Sequence, residues 1–459
     1  MAVNLSRNTK VYVTTTADDV MTGFTAGDTF EVQVLNGYSF NQQAESQAIS
    51  LSEAGAAPLR GSRSFNTKLN PVDWKFSTYI RPYRSAAGVG GLVTSPENFL
   101  WNAMANANAK DSTGVVVSGV TGTAVAPGGN FTITATAHGL SVGDTALLEG
   151  VAVATGYNQY WKVETVPNSG SFTCTNYTKA TLGAGATFAS AKVYKSALRE
   201  TTASSTVSFL GSDKNQLYKF GLIFKVDNTM YRVNNCAVDG ANINFDLQGI
   251  ATIDWNGFGT NLLSAPYVAQ LASATAVPAT ASIYITNKLS TTVLKSTIEG
   301  TGTGNKTYVL PITGGSISIK NNIQFVTPEI LGVVNNAIGY FTGNRDVSGS
   351  LTAYLKTSSL ETGELLTDIL AGVATTTEPQ FYLELDIGGA TAGVAAGTGR
   401  VNMKLPAVTL QVPSVEVQDV ISTTINFKAS GYTGIDANNA SFNLAVPSDL
   451  LVTYYTPTI

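Results

Sequence analysis

The sequence predicts a mainly β protein in which one module occurs twice, and three observations carry that prediction. Apolar residues recur at every second position over short runs, as in "DWKFSTYI" (73–80) and "KFGLIFKV" (219–226), which is the period of a half-buried strand. Gly, Ser, Thr, Ala and Asn crowd the intervals between these runs, where turns are needed. The pattern also repeats at long range. "NFDLQGIATIDWNG" (244–257) is echoed by "SVEVQDVISTTINFKASG" (414–431), each giving an acid, an apolar residue, Gln and an apolar residue, then Thr-Ile, a short polar residue and an aromatic.

The echo extends upstream in the same order. "FEVQVLNGYSFNQQ" (30–43) parallels "YVLPITGGSISIKNN" (308–322), each reading as a hairpin with a glycine turn. "DWKFSTYI" pairs with "SGSLTAYL" (348–355), and each precedes a helix signal. In "SPENFLWNAMANANAK" (95–110) Ser95 is the expected N-cap and Pro96 the first helical residue, with an apolar stripe of Phe99, Leu100, Ala103 and Met104. In "SSLETGELLTDILAG" (358–372) Ser359 is the expected cap, Leu365, Leu366, Ile369 and Leu370 form the stripe, and Gly372 is the stop. "KFGLIFKVDN" (219–228) then matches "QFYLELDIGG" (380–389): Phe220, Leu222, Phe224 and Val226 correspond to Phe381, Leu383, Leu385 and Ile387. "NNCAVDG" (234–240) leads into the first quoted strand pair as "KLPAVTL" (404–410) leads into the second.

These matches divide the chain. The first copy is predicted over 1–111 and 196–262, a linker over 263–280, the second copy over 281–434 and a tail over 435–459. Residues 112–195 have no counterpart in the second copy. Their run of short strands and glycine-rich turns, around "TATAHGLSVGDTALLEG" and "WKVETVPNSGSFTCTN", predicts a small β domain inserted at an exposed loop.

Composition narrows the function. In 459 residues only 13% are charged, about half of the roughly 25% typical of a soluble domain, so much of the surface is expected to be covered by other subunits. A net charge of −4 gives no electrostatic footprint for tight nucleic-acid binding. Cys174 and Cys236 fall in different predicted domains, so no disulfide and no metal-spacing motif are expected. "MAVNLSRNTKVYV" carries no apolar leader. "NLLSAPYVAQLASATAVPATASIYITN" (261–287), with two prolines and many hydroxyls, reads as a linker entering a strand and not as a membrane span.

Catalytic chemistry finds no footing. His138 is the sole histidine, in a turn of the predicted insert, with no neighbouring nucleophile or ligand set in sequence. "GTGTGNKT" (300–307) has Asn305 before Lys306 and a strand where a phosphate loop needs a helix, so it reads as a hairpin tip. Glu361 and Glu364 sit at a helix start, where carboxylates favour the dipole. No catalytic, cofactor or metal residues are assigned, and the chain is not expected to be an enzyme.

"LSRNTKVYVTT", "SEAGAAPLRGSRSFNTKLNPVDWKFSTYIRPYRS", "YVLPITGGSISIKNNIQFVTP" and "GSLTAYLKTSSLETGELLTDIL" resemble the major tail tube protein of long, flexible-tailed phages, of the trimeric kind with two tube modules per chain. The resemblance covers most of 1–111 and 196–434. Residues within 112–195 depart from it, and resemble small β domains scattered through phage structural proteins. The family's immunoglobulin-like C-terminal decoration is expected to be moved or replaced here, since only a short tail follows the second copy.

The resemblance implies trimeric, pseudo-hexameric rings that stack into a tube carrying double-stranded DNA, in a virion assembled in the bacterial host cytoplasm. It implies a tape measure protein and tail-tip or terminator proteins as partners, with no cofactor and no membrane anchor. Four strands per module in three chains give about two dozen strands; at about 4.8 Å spacing and about 40° tilt the barrel leaves a bore of roughly 38 Å, against about 14 Å for half as many. A lumen that lets DNA slide should avoid inward lysine and arginine, so Asp246, Gln248, Glu416 and Gln418, which share strand faces, are the candidate lumen residues. The long segment 41–70, with Glu53, Arg60 and Arg63, is expected to reach an adjacent ring. The insert is expected to point outward and to exclude a contractile sheath. The alternatives are a β-repeat surface adhesin or fibre and, behind it, a carbohydrate-active β enzyme.

Overall fold

The computed structural model describes residues 9–18, 29–35, 37–49, 63–86, 90–122, 125–126, 128–176, 181–210, 216–247, 249–266, 284–296, 306–328, 330–331, 336–375, 380–388, 399–416, 421–429 and 448–456. The protein is built mainly of antiparallel strands, with two helices of eight or more residues among the described residues.

The first half contributes β1 (Thr9–Thr14), β2 (Thr29–Val32), β3 (Ser39–Asn41), β4 (Val72–Tyr79), α1 (Asn98–Ala105), β5 (Ser205–Leu210), β6 (Phe220–Val226), β7 (Thr229–Asp246), β8 (Thr252–Gly259) and β9 (Leu262–Pro266). The second contributes β10 (Thr291–Ser296), β11 (Thr307–Val309), β12 (Ile312–Lys320), β13 (Asp346–Tyr354), α2 (Thr362–Thr375), β14 (Gln380–Ile387), β15 (Arg400–Leu410), β16 (Ser414–Glu416), β17 (Ser422–Ala429) and β18 (Ser448–Tyr455).

The ladders repeat with the sequence. In the first half β1 pairs with β2 and β6, β7 with β6, β8 and β9, and β4 with β3 and β8. In the second half β10 pairs with β11 and β14, β15 with β14, β17 and β18, and β13 with β12 and β17. Even an irregularity recurs: the register slips between Phe220 and Leu222 on β6, and between Phe381 and Leu383 on β14. A bulge leaves a strand locally bent and its extra residue unpaired, so two at matched positions mark one inherited backbone path.

From the bulge, equivalent residues can be read rung by rung. Phe220 faces Cys236; two residues on, Val238 faces Gly257, which faces Trp74, which faces Phe40. Phe381 faces Val408; two residues on, Leu410 faces Phe427, which faces Gly349, which faces Ile317. The large ring and the glycine have exchanged strands. A Cβ on Gly257 would lie 2.3 Å from the Trp74 ring, and one on Gly349 would lie 2.5 Å from the Phe427 ring. At the β4–β8 pair of the first copy and the β13–β17 pair of the second, one bulky ring faces one glycine, because the space between sheet and core is fixed.

This walk also corrects the sequence alignment. Cys236 corresponds to Val408, two residues from the match of "NNCAVDG" to "KLPAVTL", and Asn244, not Asp246, occupies the rung position of Glu416. A slip of two preserves strand parity, so the period-two pattern could not detect it. Other expectations change as well. The segment 30–43 is not a hairpin: β2 pairs with β1 and β3 with β4, and Gly37, at φ 102°, carries the chain from one sheet to the other. Gly372 lies inside α2 and does not end it, while Leu370 is half exposed. At α1 the helix begins at Asn98, after Ser95 and Pro96, because Ser95 Oγ is engaged with the Glu97 backbone N–H (3.2 Å) and carboxyl.

The two copies join twice. β7 pairs with β12 from Gly240–Lys320 to Asp246–Gly314, fusing both halves into one sheet ordered β3-β4-β8-β7-β12-β13-β17-β16. On the other layer β18, from the predicted tail, lies between β5 of the first half and β15 of the second. Tyr454 on β18 accepts a 2.6 Å hydrogen bond from Trp101 Nε1, and Arg345 holds Asp449 at 2.8 Å while lying 5.4 Å from the Phe209 ring centre. One apolar core therefore runs through both halves, from Trp74, Trp101 and Trp255 to Leu351, Ile425 and Phe427.

Residues 115–194 form two four-stranded sheets around a separate core of Phe131, Trp161, Phe172 and Cys174. Two β ribbons leave equivalent points of the large sheet: Ala44–Ile49 with Arg63–Leu69, after β3, and Ile323–Val326 with Gly339–Thr342, after β12. The second ribbon leans across the first half, with the Phe325 ring 5.8 Å from that of Phe258 and Tyr340 OH donating to Leu217 O at 2.7 Å. Cys174 and Cys236 are both buried free thiols.

Two outcomes follow from the packing. Gly349→Ala places its Cβ against Phe427 and the Ser316 carbonyl, and should cost about 1–3 kcal/mol in chemical denaturation. Glu97 is buried beside Ser95, and burial pushes its carboxyl up from 4.5 to about 7, against the opposing Ser95 hydrogen bond and Arg81 charge. The folded protein thus keeps a proton that the unfolded chain releases, so stability is full below pH 4.5 and falls as pH rises to about 7, by on the order of 3 kcal/mol. Thermal melts of Glu97→Gln should lose this slope and exceed wild type at neutral pH; an unchanged slope would refute the assignment.

Candidate functional site

The candidate site is a surface, the face of the eight-stranded sheet that turns away from the core. Alternation sets it. Ile243, Phe245, Ile253, Trp255, Ile317, Ile319, Leu351 and Phe427 point inward and are buried, so their strand neighbours must form the opposite face. That face is composed of hydroxyls and amides aligned across the strands. One row runs Tyr79, Thr252, Asn244, Ser316, Ser350, Asn426; the next runs Ser77, Asp254, Asn242, Ser318, Ser348, Lys428; a third runs Asp246, Gly314, Thr352, Thr424, Ser414.

Small polar residues here bond to one another. Ser77 Oγ donates to Asp254 Oδ1 at 2.6 Å, Asn244 Nδ2 to Asp254 Oδ2 at 3.0 Å, and Asn242 Nδ2 to Asn244 Oδ1 at 3.2 Å. Asp254 is the hub of this network. Four aspartates, Asp73, Asp246, Asp254 and Asp346, share the face with Lys75, Lys320 and Lys428, and Lys428 Nζ lies 3.0 Å from Asp346 Oδ1. No arginine lies on this face: the other seven strands have none, and Arg232, the one arginine of β7, is buried before Gly240, where β7 pairs with β6 and β9.

The residues chosen from sequence fare unevenly. Asp246 lies on this face, exposed, where its Oδ1 accepts the Gly249 backbone N–H and closes the β7–β8 turn. Glu416 ends β16 opposite Ser422. Gln248, Gln418, Glu53 and Arg60 lie outside the described residues. Arg63 begins the return strand of the first ribbon, exposed and opposite Ile49. Sequence reasoning missed Asp254, Asn242 and Asn244, although the spacing of two between Asn242 and Asn244 puts that pair on one strand face.

The inserted unit meets the large sheet at a narrow neck. Asp111 ties its two connecting strands together: Oδ1 accepts from Thr113 N and Gly114 N, and Oδ2 from Lys195 N, all at 3.1 Å. Burial alone would raise the Asp111 carboxyl, but the donors from Lys195, Gly114 and Thr113 outweigh it and hold it below its ordinary range. Tyr160 OH donates to Thr206 O on β5 at 3.0 Å, and Arg199 pairs with Glu149. His138 is buried in the insert, with Nδ1 accepting from Leu140 N at 3.0 Å and Nε2 donating to Asn168 O at 3.2 Å. Both ring nitrogens are thus occupied by backbone, as expected of a turn lock.

The described residues contain no cluster of three or more His, Cys, Asp or Glu side chains able to hold a metal. No helix among them is long and apolar enough to cross a membrane. No family model matches the chain. The chain is similar to the tail tube protein pb6 of Escherichia phage T5, with 29% identity over 441 residues, covering 94% of this chain and 73% of that protein. The likeness spans both halves, where the repeated ladders lie. The similarity to a phage tail tube protein thus extends over nearly the whole chain.

Proposed function

We propose that the protein is the structural subunit of a phage tail tube, and that three copies close their eight-stranded sheets into one ring of about two dozen strands. The continuous polar, arginine-free face is the observation that carries this reading. On a closed ring it has one natural place, the channel wall. Duplex DNA binds tightly where cations replace its counterions, whereas hydroxyls, amides and a small excess of carboxylates give it little to hold. The open sheet of a single chain, with a strand at each end that has one edge unpaired among the described residues, would be a segment of such a wall.

In this reading residues 1–111 and 196–262 form one tube module and 281–434 the other, with 263–280 as linker. The 435–459 tail is more than an appendage, since β18 clasps the two modules. The 112–195 insert decorates the outside, because a folded unit of that size would block the bore, and an outward bump on each chain disfavours a sheath. The segment 41–70, which includes Glu53, Arg60 and Arg63, contacts the adjacent ring. Partners are further copies, a tape measure protein inside the tube and terminator or tip proteins at its ends, in a virion assembled in the host cytoplasm.

Negative-stain microscopy of the purified protein tests the function: stacked annuli or hollow tubes support it, while fibrils or compact monomers contradict it. The channel wall is tested by Asn426→Lys with Glu416→Lys, which adds cations to one face of every module pair. Virions that assemble normally should eject DNA several-fold more slowly, with the deficit shrinking in high salt; normal ejection would remove these residues from the lumen.

A further inference from the structure

We infer that β16 of one copy pairs antiparallel with β3 of the next, in the register Ser414–Asn41, Val415–Phe40 and Glu416–Ser39. The chain already contains the template for this contact. Its two modules meet where β7 pairs with β12, with Asn242 facing Ser318, Ile243 facing Ile317 and Asn244 facing Ser316. If the same module-to-module step is repeated from the second copy onward, the strand equivalent to β7 must meet the strand equivalent to β12.

The equivalents are fixed by the ladders. Phe40 and Ile317 occupy the same rung, reached from the matched bulges through Trp74 and Gly349. On the opposite edge, Asn242 faces Asp254, three positions before Gly257; Ser414 faces Thr424, three positions before Phe427. Both β7 and the β15–β16 stretch spend four residues over those three, with a register shift between Val238 and Gly240 in β7 and the break around Pro413 in the other. Val415 therefore stands where Ile243 stands. The transferred register brings Val415 against Phe40, an apolar pair like Ile243–Ile317, flanked by the polar pairs Ser414–Asn41 and Glu416–Ser39.

Burial gives an independent signature. Ile243 is 0% exposed beneath β12, whereas Val415 is 43% exposed; Ala251 is 0% exposed, whereas Ile421 at the equivalent place is 40% exposed. The apolar residues left bare on this edge are thus those whose counterparts are covered at the internal junction. Among the described residues β16 pairs only with β17 and β3 only with β4, so each presents an unpaired backbone edge. Phe40 is already braced, its ring 4.5 Å from Phe224 and 5.1 Å from Tyr231. A second copy of this chain supplies both halves of the match, which makes it the occupant of each edge.

This inference rests on the ring reading and specifies its joint. Both Asn41 and Ser414 are exposed, so Asn41→Cys with Ser414→Cys is expected to fold; under mild oxidation its assemblies should run on non-reducing gels as covalent dimers and trimers. Asn41→Cys with Val415→Cys, which sends the thiols to opposite faces, should not cross-link. A third variant, Val415→Asp, should keep wild-type melting as a monomer and lose assembly at least tenfold in the concentration required. Rings that form in the microscope while the first pair stays uncross-linked, or while the control pair cross-links instead, would overturn this joint and leave the tube standing. Absence of any ring from the unaltered protein would overturn both.

Discussion

An open β sheet cannot leave its edge backbone unpaired without consequence, and this constraint organises the protein. Each module alone would expose two such edges. Within the chain one edge of each is consumed at the β7–β12 junction, where seven consecutive rungs run from Gly240–Lys320 to Asp246–Gly314. Among the described residues two edges of this sheet remain, β3 and β16, and they are short. Short edges suit a subunit that must stay dispersed until it meets its own kind. A charge content of 13% fits the same picture, since surfaces destined for burial need not be solubilised.

Duplication also makes the internal joint unlike the joint between chains. β18 crosses between β5 and β15, and the Trp101–Tyr454 hydrogen bond and the Arg345–Asp449 pair pin it to both modules. β5 belongs to the segment between the insert and β6, and only four residues, 376–379, separate α2 from β14 in the second module. The clasp thus cannot be copied between chains. The two modules of one chain are fixed before assembly, and the reversible contact is left to the sheet edge. The insert sits beside this clasp, with Leu210 of β5 packed into its core and Tyr160 bonded to Thr206.

Much of this was legible in the sequence, for identifiable reasons. Period-two alternation marked β4, β6, β8, β13, β14 and β17, and matched order across two copies revealed the duplication. What escaped was everything that alternation cannot encode. A two-residue slip preserves which side chains face inward, so the rung partners of Asp246 and Glu416 were displaced without any signal. Gly37 suggested a hairpin, yet a positive-φ glycine serves equally to pass a chain between layers. The tail was read as peripheral because its strand, "SDLLVTYY", carries no motif that names a partner on another module. Asp254 was passed over because its value lies in its cross-strand hydrogen bonds to Ser77 and Asn244, and alternation along a strand does not name the residue opposite.

The central claim is that one chain supplies two sixths of a ring. Mass per unit length of assembled tubes, measured by scanning transmission electron microscopy together with the axial ring repeat, tests it without relying on any substitution. The account requires three chain masses per ring. Six chain masses per ring would contradict it, because each chain would then contribute only one module to the channel wall.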